Sequence, residues 1–179
     1  MANTNAPDGF TPAYHMSGGV IRPQEFAIAS ATNASIFSGD VVNLSSGLVI
    51  QGTATGTPLG VFYGVEYQAT DGSVVFSNMW TADVATLGAA NAKAFVYVDP
   101  DIVYEAQSTG TPTQASIGTT NTISTTAGNT NNGRSKEGVT TTTSSGIATV
   151  VGFPQKPNNS IGQYARVYVT FPASTFGNS

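Results

Sequence analysis

Apolar and polar positions alternate with a period near two along much of this chain, which is the pattern of strands rather than of helices. In residues 163–171, Tyr164, Arg166, Tyr168 and Thr170 alternate with Ala165, Val167, Val169 and Phe171, giving one apolar and one mixed face. The same reading places strands at 25–30, 40–44, 47–51, 59–67, 73–79, 93–98, 101–107 and 150–153. Turn-forming stretches separate them: Ser38-Gly39, Ser45-Ser46-Gly47, the TATGTP run, Asp71-Gly72 and Asp99-Pro100. Short strands at close intervals indicate a sandwich or barrel. In residues 59–67 the pattern is unusual, because Val61, Tyr63, Val65 and Tyr67 alternate with Phe62, Gly64 and Glu66, so large side chains fall on both faces. An isolated hairpin usually keeps one face polar. The second apolar face needs a second layer, a ligand or another chain.

Two segments break the strand pattern. Residues 1–24 hold Pro7, Pro12 and Pro23 with Gly9, Gly18 and Gly19, which excludes helix and leaves an extended N-terminal arm. That arm carries Phe10, Tyr14, Met16, Val20 and Ile21, too many large apolar groups for a disordered tail. It is expected to pack on its own domain or on a neighbour. The neighbour is favoured, with Phe10 and Tyr14 as anchors and His15, Met16, Val20 and Ile21 beside them. Residues 108–149 are the second break, with Ser or Thr at 20 of 42 positions. They are expected to form a loop region with at most one helical turn near 112–117, where Thr111 is a candidate N-cap, Pro112 the first helical residue and Gln114 the third. The stretch GNTNNGRSKEG is the strongest loop signal. The expected fold is therefore all-β: a single antiparallel β-sandwich or barrel over residues 25–179, an extended N-terminal arm over 1–24 and at most one short helix.

Composition supports this and narrows function. Only 9% of the 179 residues are charged, and ten acids against six bases give a net charge of −4. A phosphate-tracking face needs a basic surface, so no nucleic-acid partner is expected. Cysteine is absent, so stability must come from burial or assembly rather than from cross-links. The opening MANTNAPDGFTPAYHM has neither a basic n-region nor an apolar core, so no Sec signal is expected. No apolar run approaches the roughly 20 residues of a membrane span, so no membrane partner is expected either. Three Asn-X-Ser sequons, at Asn33, Asn43 and Asn158, read as chance matches in an Asn- and Ser-rich chain.

Candidate chemistry is sparse. The single histidine, His15, lies in the arm, and no nucleophile elbow, phosphate loop or dinucleotide fingerprint is present. No catalytic residue, metal ligand or cofactor is assigned. Asp99, Asp101 and Glu105 are the densest acidic group. They fit a calcium site less well than an Asp-Pro turn followed by an exposed strand residue, since EF-hand spacing is missing. Trp80 with Tyr63 and Tyr67 offers a sugar-stacking platform, but aromatics inside apolar strands more often serve packing. The sum of these features points to assembly rather than catalysis.

The order of segments carries a resemblance. NAPDGF, HMSGGVIR and EFAIAS, then LGVFYGVEYQATDGSVVFSNMW with KAFVYVDPDIVYEAQ, and finally NNGRS and KPNNSIGQYARVYV, resemble the head decoration (cement) proteins of tailed bacteriophages. The similarity spans nearly the whole chain and rests on strand-turn order and a few dipeptides. It implies a structural protein on the outer capsid surface of the virion, made in the host cytoplasm. Its implied partners are the major capsid protein and itself, as a homotrimer on a three-fold position. It supplies no contact residues. The alternative is a glycan-binding tail, fibre or adhesin module built on Trp80 and its tyrosines.

Overall fold

The computed structural model describes residues 3–28, 34–81 and 92–177. Fifteen strands follow in chain order: β1 (Thr11–His15), β2 (Gln24–Ala27), β3 (Ile36–Phe37), β4 (Val41–Ser45), β5 (Leu48–Gln51), β6 (Gly60–Gln68), β7 (Val74–Ser77), β8 (Met79–Trp80), β9 (Lys93–Tyr97), β10 (Ile102–Gln107), β11 (Thr120–Asn121), β12 (Ile123–Ser124), β13 (Gly138–Val139), β14 (Ala148–Gly152) and β15 (Arg166–Thr170). The protein is all-β, as the alternation predicts. Among the described residues the one helical turn is a 3₁₀ segment at Gln114–Ser116, inside the expected window. Its cap lies two residues later than expected: Thr113 N donates to Ser116 Oγ at 3.0 Å. The strand expected at 25–30 begins at Gln24, and its last two positions, like Asn33, lie outside the described residues.

Local chemistry explains the tight turns. Between β4 and β5, Ser46 (φ 51°) and Gly47 (φ 80°) both take positive φ, the conformation of a two-residue hairpin loop that follows strand twist. At the β6–β7 turn Asp71 Oδ1 accepts from Ser73 N at 2.9 Å and Ser73 Oγ at 2.6 Å. The strand expected at 73–79 divides, because β7 pairs with β6 whereas Met79 and Trp80 turn away to pair with β3. The last strand starts at Arg166 rather than 163, since Tyr164 sits at φ 58° and cannot extend the ladder. The Ser/Thr-rich region is less of a loop than expected. It contributes β11, β12 and β13, and its threonines bond in pairs, Thr120–Thr149 at 2.8 Å and Thr122–Thr140 at 2.7 Å.

Two sheets enclose two cores. One sheet, in the order β1-β10-β15-β14-β11, covers a cluster that includes Phe10, Ile102, Tyr104, Val167, Val169 and Phe171. The other runs β2-β9-β6-β4-β5, with β7 added to β6. A parallel bridge from Ile28, just past β2, to Val49 of β5 brings its two ends together around Phe62, Val65, Trp80 and Val96. That closure removes most free edges, as in a small barrel. β6 answers the question of the second apolar face. Val61 enters the first core while Phe62 and Val65 enter the second. β4 does the same with Val41 and Val42. Both strands run between the cores, so their central residues are apolar on both sides.

The arm expected to lie across a neighbour belongs instead to the chain's own domain. Residues Thr11–His15 pair antiparallel with Ile102–Glu105 as the edge strand β1. Phe10 is 1% exposed, and its ring meets Phe171 edge-on at 5.3 Å. Upstream, Gln107 Nε2 donates to Thr4 O (2.8 Å) and Asp8 pairs with Arg166 (2.8 Å). The physical reason is that β10 has one side free for a partner strand, and the extended arm satisfies those backbone groups. A boundary at residue 24 therefore separates nothing. Ile21 packs partly against the first core, whereas Tyr14, Met16 and Val20 stay exposed.

Candidate interaction site

The acidic group splits. His15 Nδ1 accepts from Ser17 N at 3.3 Å, which leaves Nε2 as the donor to Asp99 Oδ2 at 3.0 Å. Asp101 N donates to Asp99 Oδ1 (2.9 Å), and Ser17 Oγ donates to Asp101 Oδ2 (3.0 Å). The His15 hydrogen bond and then the Asp101 amide hold the Asp99 carboxyl below its usual range. Glu105 lies elsewhere, bound by Lys156 Nζ at 2.6 Å and Arg166 Nη1 at 3.4 Å. Ligand atoms of His15, Asp99 and Asp101 come within 4.8 Å of one another. Each already has a protein partner in a turn that caps itself, so chelator is expected to leave the thermal melting curve unchanged. A calcium-restored loss of several degrees would show that the cluster holds an ion, because a ligand bound only by the native state raises its stability.

The aromatics are rearranged relative to the sequence reading. Trp80 is fully buried, with Tyr67 edge-on at 5.9 Å, so it offers no ring face to a sugar. Besides Tyr14 and Phe176, the exposed aromatics Tyr63 and Phe76 gather with Phe95 and Tyr97 on the outer side of β6, β7 and β9. Tyr63 meets Phe76 at 6.0 Å and Tyr97 at 5.6 Å, and Phe76 meets Phe95 at 5.7 Å. A register shift between Phe62 and Gly64 leaves Tyr63 as an extra residue turned outward. Gly64 is needed beneath it: a Cβ there would lie 2.8 Å from Phe76 Cζ. Val74 is 70% exposed, Phe76 55% and Tyr63 44%. The result is a continuous apolar strip on a projecting hairpin. Phe76, Val74 and Phe95 were not singled out from sequence, because period-two alternation does not say which side of a hairpin stays wet.

Beside the strip, two hollows of about 490 and 390 Å³ meet along Asp8, Thr11, Pro12 and Arg134. The first is lined by Glu105, Lys156, Asn158, Asn159 and Arg166, and the second by Asn78, Tyr63 and Tyr97. Burial and the neighbouring Tyr63 hydroxyl push the Tyr97 hydroxyl above its usual value. Arg134 comes from the GNTNNGRSKEG loop, whose tip is closed by Asn129 N donating to Arg134 O at 2.7 Å.

The far half of that loop turns inward. Ser135 and Glu137 are buried beside Asp40, which is also buried. Asp40 Oδ2 accepts from Phe37 N and Glu137 Oε2 from Val41 N, each at 2.8 Å. Among the described residues Glu137 Oε1 has no hydrogen-bond partner, while the Asp40 carboxyl has the Ser135 hydroxyl beside it as well as the Phe37 amide. Burial raises the Asp40 carboxyl to about 6. Burial and then the Asp40 charge raise Glu137 well above its usual value. A carboxylate dyad of this kind is not legible in the sequence, where its members stand far apart and each has an ordinary turn context.

No family model, curated protein or solved structure matches this chain. Among the described residues, no helix is long and apolar enough to cross a membrane.

Proposed function

We propose that this protein is a capsid decoration protein of a tailed bacteriophage, attached to the outer surface of the icosahedral head and reinforcing contacts between major capsid subunits. The observation that carries the reading is the exposed strip of Tyr63, Val74 and Phe76 backed by Phe95 and Tyr97. Contiguous exposed apolar surface on a small domain marks an interaction site, and aromatics dominate interface energetics. Glu66, Lys93 and Glu25 stand beside Phe76 and Phe95 in the strand registers and give the strip a polar rim. The sequence resemblance supplies the kind of partner. A homotrimer on three-fold positions belongs to the same proposal, with the exposed Tyr14, Met16 and Val20 as further contact candidates. Catalysis is not part of it.

Co-sedimentation with undecorated heads tests the proposal. The protein should pellet with heads, and the double variant Val74→Asp, Phe76→Asp should bind at least about tenfold more weakly, since losing one anchor commonly costs 2 kcal/mol or more. Its melting temperature should fall by only a few degrees, from the lost Phe76 contacts with Tyr63 and Phe95 and the new carboxylate opposite Glu66, leaving the fold intact at the assay temperature. Failure of the parent protein to pellet, or undiminished binding by the variant, overturns the reading.

A further inference from the structure

We infer that the double hollow along β1 is a binding site for a carboxylate-bearing saccharide of the uronate type. The inference does not rest on the capsid reading. Three of the chain's six basic residues, Arg134, Lys156 and Arg166, line the groove, in a protein whose net charge is −4. The groove's two acids are already engaged: Asp8 by Arg166, and Glu105 by Lys156 and Arg166. Arg134 is exposed, lines both hollows, and its guanidinium makes no ion pair among the described residues. A free planar guanidinium beside neutralised acids is a receptor for a carboxylate, which it can bind through two parallel hydrogen bonds.

The rest of the groove selects the body of the ligand. At one end Tyr63 and Tyr97 present ring surface, on which the apolar face of a sugar ring can pack. Asn158, Thr11 and the Oδ1 of Asn78 provide neutral polar groups suited to hydroxyls, while Asn159 is engaged by Pro154 O, Arg166 O and Arg166 N and shapes the wall. An acidic peptide fits less well. It would pair along the open side of β1, but Pro12 has no N–H and the register is broken between Pro12 and Tyr14, so the strand edge is a poor template. The two hollows share Asp8, Thr11, Pro12 and Arg134, so a two-ring ligand can occupy both.

Titration of the isotope-labelled protein with digalacturonate, the corresponding neutral disaccharide and tetraglutamate, followed by amide NMR shifts, tests the inference. Digalacturonate should give saturable shifts at groove residues, and the neutral disaccharide should bind at least about tenfold more weakly. Arg134→Ala should weaken digalacturonate binding at least about tenfold and Tyr63→Ala about threefold, while Lys136→Ala, an exposed cation outside the groove, should have no effect. Arg134→Lys should recover only part of the loss. Superimposable melting curves for the Arg134 variants would separate binding from folding. The inference is overturned if digalacturonate gives no saturable shifts, if the neutral disaccharide binds equally well, or if Arg134→Ala binds normally. Tetraglutamate binding as tightly at the same residues would reassign the groove to acidic peptides.

Discussion

Phe10→Ala is expected to lower the melting temperature by on the order of 10 °C, and deletion of residues 1–20 to prevent folding. Removing a fully buried aromatic side chain costs about 3–5 kcal/mol, and for a chain of this size each kcal/mol is worth roughly 2–4 °C. Phe10 is such a residue, packed on Phe171, which in turn contacts Tyr104 at 5.5 Å. Deletion goes further. It strips β1 from β10, exposing the backbone groups of Ile102–Glu105, and it removes Asp8 from Arg166. Tyr14→Ala is the matched control: its ring is 45% exposed and meets Tyr168 edge-on at 5.5 Å, a contact worth about 1 kcal/mol. Scanning calorimetry with circular dichroism separates the cases. A deleted protein that melts like the parent would mean that the segment is a separable arm after all.

The second large effect is a loss of stability as pH rises. Asp40 releases its proton near 3.8 when unfolded and at about 6 when folded. A raised carboxyl contributes stability that is fully present below the unfolded value and is lost as pH climbs through the folded one. Just over two pH units correspond to about 3 kcal/mol. Glu137 is raised as well and acts in the same sense, and the two titrate as a pair. The physical cause is that two buried carboxyl groups, with no cation bonded to them, cannot both ionise cheaply. The melting temperature is therefore expected to be several degrees lower at pH 8 than at pH 5. On the acid side Asp99, whose carboxyl is held low, contributes in the opposite sense and loses its contribution only as pH falls through its folded value. Glu137→Gln removes one ionisation while keeping an oxygen for Val41 N, so it should raise stability at pH 8 and flatten the profile between pH 5 and 8. A parent profile that is already flat over that range would show that the pair carries no shared penalty.

The second effect bears on the surfaces proposed for binding. The dyad ties the Ser38–Val41 turn to the far half of the Arg134 loop, where Ser135 N donates to Ser38 O at 3.0 Å. These segments border the groove and the base of the aromatic hairpin. Loosening the dyad should therefore be felt first at the surfaces proposed for binding rather than in the sheet of β10 and β15.

Strand identity and turn chemistry were legible in the sequence because they are local. Asp71-Gly72 and Ser46-Gly47 each contain the residues that tolerate positive φ, and a few flanking positions are enough to set the hairpin. Alternation in residues 166–170 likewise predicts a strand with one buried face, because side chains of a strand point to opposite sides by construction. The two-faced character of Val61 to Val65 called for a second layer, a ligand or another chain. The sequence could not say which of the three. Only the tertiary structure placed β6 between two cores, sent Trp80 inward and left Phe76 outside, since burial depends on what packs above a strand. It also took Phe10 into the core, because the vacant edge of β10 lies more than ninety residues away in the chain. Asp40 and Glu137 became a dyad, and Arg134 and Lys156 a groove, by contacts between loops whose local residues suit many conformations. Short-range preferences are written residue by residue, whereas the meeting of distant loops is settled by the burial that the whole fold achieves at once.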